Sequence, residues 1–393
     1  MTVTLEQVRG YRLRNHHLDA PLPAGALEEA VPCGAQNSPP GAWETALWNR
    51  AEGVTLSQLE EALYGRKTLL QAWSIRGVPL VFPTEEAGVF LAPLSARPGE
   101  EPWVYTRGIT GALDALGMTF DQLLPLVEGA CACLEGETVV SKEALDRRLA
   151  ALAEPELPPE ARTAWRAPSM YGRPDRQTVG EAAVSFLLRP CAFRGRVVFG
   201  EREGMYPTFT APVRWLGRPL PEHPDGEREL VRRFLRCYGP ALPSHFQSWL
   251  GCSPRQAKRL WGAVREELAP VEVEGRRRWA LLEDLEALAR GEAGERLLLL
   301  GPHDPYLDLR DRDTILAEPA RQRQVWRTVG NPGAVVLGGR VVGLWTVRTR
   351  GDRLDAAVTL FEDLPAPRRS ALAELAERCA AFREKRLDGW QVC

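Results

Sequence analysis

The segment Val31–Trp48, VPCGAQNSPPGAWETALW, places one amide side chain, Gln36, among small residues and turn formers just ahead of an amphipathic run. A glutamine amide can orient a water through its carbonyl oxygen. The Ser38 hydroxyl can hold one too, although it is a poor base at neutral pH. The same residues fit a purely structural account. Ser38 followed by Pro39 and Pro40 reads as a helix N-cap with prolines in the first turn, Trp43, Ala46 and Leu47 continue at helical spacing, and Gln36 is then a turn amide bonding the backbone.

Other chemistry-bearing residues offer less. His303 and Asp304 in GPHDPYLD suggest an acid–base pair, but adjacent residues of an extended chain point apart and Asp-Pro sets a turn, so the pair reads as structural. His16 and His17 fall on what reads as an exposed first helix, with no partner in view. Of the eight cysteines only Cys131 and Cys133 are close, and they lack the C-x-x-C spacing of a zinc or redox site. The chain has no G-x-S-x-G elbow, phosphate loop or G-x-G-x-x-G fingerprint. Chemistry without metal or cofactor is therefore the expectation.

The elements that would position these residues belong to a chain of 393 residues with an ordinary globular composition, 44% hydrophobic and 26% charged. That length supplies more than one core, and two to four domains are expected. No stretch is long and apolar enough to span a membrane, and the polar N-terminus is unlike a signal peptide, so a cytoplasmic protein is expected. Net charge is −2, so any polyanion site must be local. The cations are overwhelmingly arginine, with lysine confined to Lys67, Lys142, Lys258 and Lys385. Biased codon usage explains this, while the planar guanidinium also suits phosphate and groove contacts.

One kind of unit recurs along the chain. Its clearest copy is Glu227–Leu281, where two helical stretches lead to Ser253 and Pro254, an N-cap and first-turn pair opening SPRQAKRLWGAVREEL. APVEVEGRRRWALL then reads as strand, tight turn at Glu274-Gly275, strand. Three helices followed by a hairpin is the order of a winged helix-turn-helix, in which the third helix can enter the major groove and the hairpin can reach phosphates. Arg255, Lys258 and Arg259 fall on that helix and Arg276, Arg277 and Arg278 on the wing. They would contact DNA, or be solvated charges on a protein-binding winged helix.

Two weaker copies precede it. The first has helices after Val54 and a hairpin from Trp73 to Leu91, with Arg76 at its mouth. The second has helical SKEALDRRLAAL and TVGEAAVSFLLRP, a Pro-rich connection ELPPEARTAWRAPSMYGRPD between them, and a strand–turn–strand bearing Arg194 and Arg196. Each of these three arginines could contact DNA or be a surface charge. The C-terminal part reads as strands joined by Gly-rich turns, among them Gly338-Gly339, followed by the helix APRRSALAELAERCAAFREKRL. The expected fold is thus α+β: winged-helix units over 1–128, 129–224 and 225–292, then a β-rich, barrel-like element with a final helix over 293–393.

LLLLGPHDPYLDLRDRD with VVLGGRVVGLWTVR, the unit YGPALPSHFQSWLGCSPRQAKRLW, and ALWNRAEG followed by WSIRG resemble, in this order and spacing, the AlkZ-like, winged-helix DNA-binding-domain-containing family. The resemblance implies a bacterial DNA glycosylase that excises alkylated bases and unhooks interstrand crosslinks, and a C-shaped stack of three winged helices binding duplex DNA in its concave channel. The family's catalytic motif is glutamine, an apolar residue, then glutamine or aspartate, just ahead of a helix ending like ALW. Gln36-Asn37-Ser38 falls on it, matching at the first position and departing at the second and third. The resemblance thus makes Gln36 catalytic with Ser38 assisting. The departure implies weaker catalysis, a substrate limited to activated leaving groups, or binding without cutting. A monofunctional enzyme is expected, since no lysine stands near the motif, as is a monomer acting at the nucleoid. The alternative is a non-catalytic DNA-binding or damage-recognition protein.

Overall fold

Thr4 and Gln7 close a capping box at the start of helix α1 (Leu5–Asn15): Gln7 N donates to Thr4 Oγ1 and Thr4 N to Gln7 Oε1. The computed structural model describes residues 1–100, 107–172 and 176–393. Contacts divide the chain into two units, Met1–Gly65 with Val231–Trp249 and Val264–Cys393, and Arg66–Leu230 with Leu250–Ala263.

In the first unit α1 is not the exposed helix expected. His16, just past its end, is fully buried between the rings of Tyr238 and Tyr306, with Nε2 3.1 Å from the Cys237 carbonyl. Burial, and then the charge of Arg50, push the imidazole well below its usual pKa, so it stays neutral. His17 is half-buried and shifted the same way. Arg12, also buried, clasps Asp311 through Nη1 (3.1 Å) and Nη2 (2.7 Å) and donates to the Gly239 and Tyr238 carbonyls.

The short helix α2 (Ala42–Trp48) is followed at once by Asn49 and Arg50. Asn49 Nδ2 donates to Thr45 O (2.9 Å) and Leu299 O (3.0 Å). Arg50 Nη1 donates to Ala46 O and to Asp304 Oδ2, both at 2.8 Å, and Nη2 to Asp304 Oδ1 at 2.7 Å. Both side chains of this ion pair are fully buried. Asp304 also accepts from Tyr306 N at 2.9 Å, opening the 3-10 turn Pro305–Asp308. The structural reading of the HDPY segment therefore holds for Asp304.

Helices α3 (Gly226–Tyr238) and α4 (Pro243–Leu250) bring Phe234, Phe246 and Trp249 together in an aromatic cluster, with ring centroids 5.1 to 6.2 Å apart. Strands β1 (Leu268–Val273) and β2 (Arg276–Leu281) pair antiparallel across Glu274-Gly275, whose φ values of 48° and 73° give the left-handed pair a two-residue hairpin requires.

The C-terminal sheet comprises β3 (Leu297–Leu300), β4 (Gly333–Leu337), β5 (Arg340–Arg350), β6 (Arg353–Leu360) and β7 (Arg386–Val392), in that order. Gly338-Gly339 makes the β4–β5 turn, as its sequence predicts. The first three pairings are antiparallel and β6–β7 is parallel, reached through helix α5 (Ala366–Phe382). A parallel neighbour requires such a crossover. Leu372, Ala376, Cys379 and Ala380 of α5 pack on Leu299, Val335, Trp345 and Val358 of the sheet. The barrel-like expectation is corrected accordingly. Among the described residues the sheet is open, with β3 and β7 as its edges, because the crossover helix occupies one face.

In the second unit, helices Phe120–Ala130, Lys142–Ala153 and Val179–Phe193 each begin at a capping hydroxyl, from Thr119, Ser141 and Thr178. They bury Leu123, Val127, Leu145, Leu149, Val184 and Leu187 in one core with Trp73, Phe199 and Phe209. The first hairpin pairs Leu69–Trp73 with Pro79–Pro83 and does not extend to Leu91, since Ala87–Phe90 is helical. The Pro-rich connection contains a helix, Pro159–Arg166, with the proline at its start. Residues 173–175 of that connection lie outside the described residues.

Asp304→Ala would strand a buried guanidinium. It should cost about 3–5 kcal/mol of stability, read as a lowered denaturant midpoint at constant slope. A midpoint within experimental error of the parent's would show that the pair carries no such weight.

Candidate active site

The turn from Gln36 to Gly41 is held by side chains bonding its own backbone. Ala35 and Gln36 are extended, and Gln36 is only 9% exposed. Its Nε2 donates to the Ser38 carbonyl at 2.8 Å. The amide nitrogen is thereby committed, and the carbonyl oxygen Oε1 is the end that can accept from a water. Asn37, equally buried, accepts the Gly41 N–H on Oδ1 at 2.8 Å.

Gly41, at φ 85°, is the residue at the α2 N-cap position, and it has no side chain with which to cap. A Cβ there would stand 3.1 Å from the Glu44 carboxylate in addition to straining the backbone. Ser38 is therefore not the N-cap that the Ser-Pro-Pro pattern suggests. It lies three residues before Gly41 and is exposed. Both sequence readings of Gln36 remain compatible with the geometry, since it is a turn amide through one end and an acceptor through the other. Cys33 offers no competing nucleophile, because it is buried and burial pushes its thiol well above the usual value.

The arginines sort by exposure and partner. Arg276 and Arg277 stand out from β2, with Arg276 3.8 Å from Asp313 and Arg277 lying 5.0 Å over the Trp279 ring. Arg278 faces the other way and is corrected as a DNA contact. It is 7% exposed and donates to Asp311 at 2.5 Å, because it sits opposite Val271 on the inner face of the hairpin.

On the helix Pro254–Ala263, Ser253 Oγ accepts from Gln256 N as expected of an N-cap, while Arg255 and Lys258 are exposed. Arg255 donates to Gly99 O at 2.6 Å. Arg259 is half-buried between Glu100 and Glu227, at 2.6 and 2.5 Å, which occupies its guanidinium. Arg76 holds a left-handed φ of 58° at the mouth of the first hairpin, half-buried against the backbone of Gly251.

Arg194 and Arg196 do not lie on a wing strand, since the helix runs on to Phe193 and Arg194 follows its last turn. Arg194 grips both oxygens of Glu128 at 2.9 Å, and with the exposed Arg196 it lines a cleft of about 930 Å³. Sequence reading missed Arg348, Arg350 and Arg353, exposed at the tip of the β5–β6 hairpin. The signal was present in TVRTRGDR, where apolar residues stop after Val347 while the strand continues to Arg350.

Among the described residues no group of three His, Cys, Asp or Glu is placed to hold a metal ion. None of their helices is long and apolar enough to cross a membrane.

The site thus consists of a buried amide in a braced turn, on a mixed α+β scaffold that carries exposed arginines. The chain belongs to the DNA glycosylase AlkZ-like family, which it matches over residues 33–382. An interstrand DNA cross-link repair glycosylase from Streptomyces sahachiroi is 28% identical over 307 residues, 75% of this chain and 74% of the relative. The solved structure of Streptomyces sahachiroi DNA glycosylase AlkZ shares the fold, with a TM-score of 0.78 at 24% identity and full coverage of both chains.

Because Ser38 caps nothing, Ser38→Ala should leave stability within about 0.5 kcal/mol of the parent. Ser253→Ala, which removes a true cap, should cost about 1 kcal/mol. Equal melting shifts for the two variants would contradict this assignment.

Proposed function

We propose that this chain is a monofunctional DNA glycosylase that releases alkylated or crosslinked purines from duplex DNA. The observation carrying the proposal is Gln36, buried in a braced turn with its amide nitrogen bonded to Ser38 O. Membership of the AlkZ-like family and the crosslink-repair relative support the same reading.

The chemistry suits these groups. Alkylation at N7 or N3 puts positive charge on the purine, so the base departs readily and the sugar passes through an oxocarbenium-like state. What the protein must add is a water on the far face of the sugar and acceptor dipoles aimed at the developing cation. Gln36 Oε1 accepts a hydrogen bond from the water and turns the oxygen lone pair toward the anomeric carbon. Ser38 Oγ, exposed beside it in sequence, is a second partner for that water. The water oxygen bonds to the anomeric carbon as the bond to the purine nitrogen breaks, the electron pair leaves with the base, and the released proton passes to solvent.

The lysine nearest in sequence, Lys67, donates to the Trp215 carbonyl at 2.7 Å and lies over the Trp215 ring, which supports hydrolysis by water over a Schiff base. Helices α3 and α4, Pro254–Ala263 and the hairpin β1–β2 follow the order of a winged helix. We read Arg255, Lys258, Arg276 and Arg277 on that unit, with Arg348 and Arg350 on the β5–β6 hairpin, as phosphate contacts. The site of action would be the nucleoid.

Duplexes carrying N7-methylguanine, N3-methyladenine or a nitrogen-mustard crosslink should acquire abasic sites that hydroxide converts to strand breaks on a gel. Gln36→Ala should slow their formation by about 10²–10³-fold. DNA retained without breaks on every lesion would replace excision with damage recognition alone, the reading that Ser38 at the third motif position favours.

A further inference from the structure

We propose that Asn37 is a positioning residue for the base-excision reaction, closing the turn Asn37–Gly41 that leads into α2 and so fixing the turn that presents Gln36 and Ser38. This inference rests on the excision reading above.

The helix it serves is the shortest kind that needs outside support. Seven residues are too few to be stable on propensity alone, and the N-terminal N–H groups of any helix need partners. The residue at the N-cap position is Gly41, which has no side chain to offer and whose φ of 85° suits no other residue well. Four residues upstream, Asn37 Oδ1 takes the N–H of Gly41 itself at 2.8 Å, and the Pro39 carbonyl takes that of Ala42, the first helical residue, at 3.1 Å. One side-chain bond and one backbone bond therefore close the loop Asn37–Gly41 where it enters the helix.

The neighbouring bond from Gln36 Nε2 to Ser38 O closes the turn from the other side, at the same 2.8 Å. The two bonds interlock. The carbonyl that orients the Gln36 amide belongs to Ser38, and Ser38 lies inside the loop that Asn37 closes. If the Asn37 bond is lost, the turn is held from the helix side by the Pro39–Ala42 backbone bond, Ser38 O is fixed less closely, and the direction of Gln36 Oε1 is less sharply set. Asn37 is itself 9% exposed and its oxygen accepts the Gly41 N–H, which is the contact through which it supports the turn. A carboxylate of the same shape could accept the same N–H, whereas an aliphatic side chain could not.

The test compares Asn37→Ala, Asn37→Asp and Asn37→Leu in the full chain with the nitrogen-mustard crosslinked duplex, measuring base release under saturating and subsaturating conditions. Asn37→Ala and Asn37→Leu should lower kcat by about tenfold or more with KM changed less than about threefold, while Asn37→Asp recovers most of the rate. Hydrogen exchange at the Gly41 amide, slow in the parent and in Asn37→Asp, should become fast in the other two.

Parent-like kcat in a folded Asn37→Ala protein overturns the positioning role while leaving excision by Gln36 intact. A loss that Asn37→Asp does not recover, or that appears only in KM, overturns it as well. No base release by the parent on any lesion overturns the excision reading and this role with it.

Discussion

The fork of Arg50 on Asp304 is the interaction on which the first unit depends. Both side chains are wholly buried, and desolvating two ions costs several kcal/mol each, so the pair is tolerable only if its geometry is good and most of its hydrogen-bonding capacity is used. It is bidentate at 2.7 and 2.8 Å, Asp304 also accepts the Tyr306 N–H, and Arg50 also donates to Ala46 O. Only Arg50 Nε lacks a partner. Through Ala46 the pair reaches the last turn of α2, so the helix that follows the Gln36 turn is held from its far end by a charge pair and from its near end by Asn37.

A second buried cluster repeats the pattern seven residues further on. Asp311 receives Arg12 from α1 and Arg278 from β2, and Thr314 Oγ1 donates to it at 3.0 Å. Burial alone would raise the Asp311 carboxyl, but Arg12 and then Arg278 outweigh it and hold the group below the usual carboxylate range. Residues 301–314 thus tie down α1, α2 and the β1–β2 hairpin with two aspartates. This explains why so polar a segment, GPHDPYLDLRDRD, is largely buried.

How much of this was legible follows from which signals are local. Caps and two-residue turns were readable because their chemistry lies within four residues: Ser253 caps its helix, and Glu274-Gly275 and Gly338-Gly339 turn their hairpins. Long-range pairing was not. Nothing in ALWNRAEG states that Arg50 meets a residue 254 positions away, and nothing in an RRR run says that its third arginine turns inward. His16 was misread for the same reason, since two polar histidines in a row look like surface until Tyr238 and Tyr306 arrive from elsewhere. At the candidate site Gln36 was singled out by its match to the family motif. The Ser-Pro-Pro pattern misled because the helix begins only at Ala42, after Gly41, whose N–H is taken by Asn37 while the Pro39 carbonyl takes that of Ala42.

Buried charge geometry sets α2, and through it the turn that carries Gln36. Arg50→Lys keeps the charge but loses the fork, and it tests that claim most directly through single-turnover base release from crosslinked DNA, measured well below the variant's melting transition. Release slowed by about tenfold or more with DNA affinity unchanged is the predicted result. A folded Arg50→Lys protein releasing base at the parent rate would contradict the account.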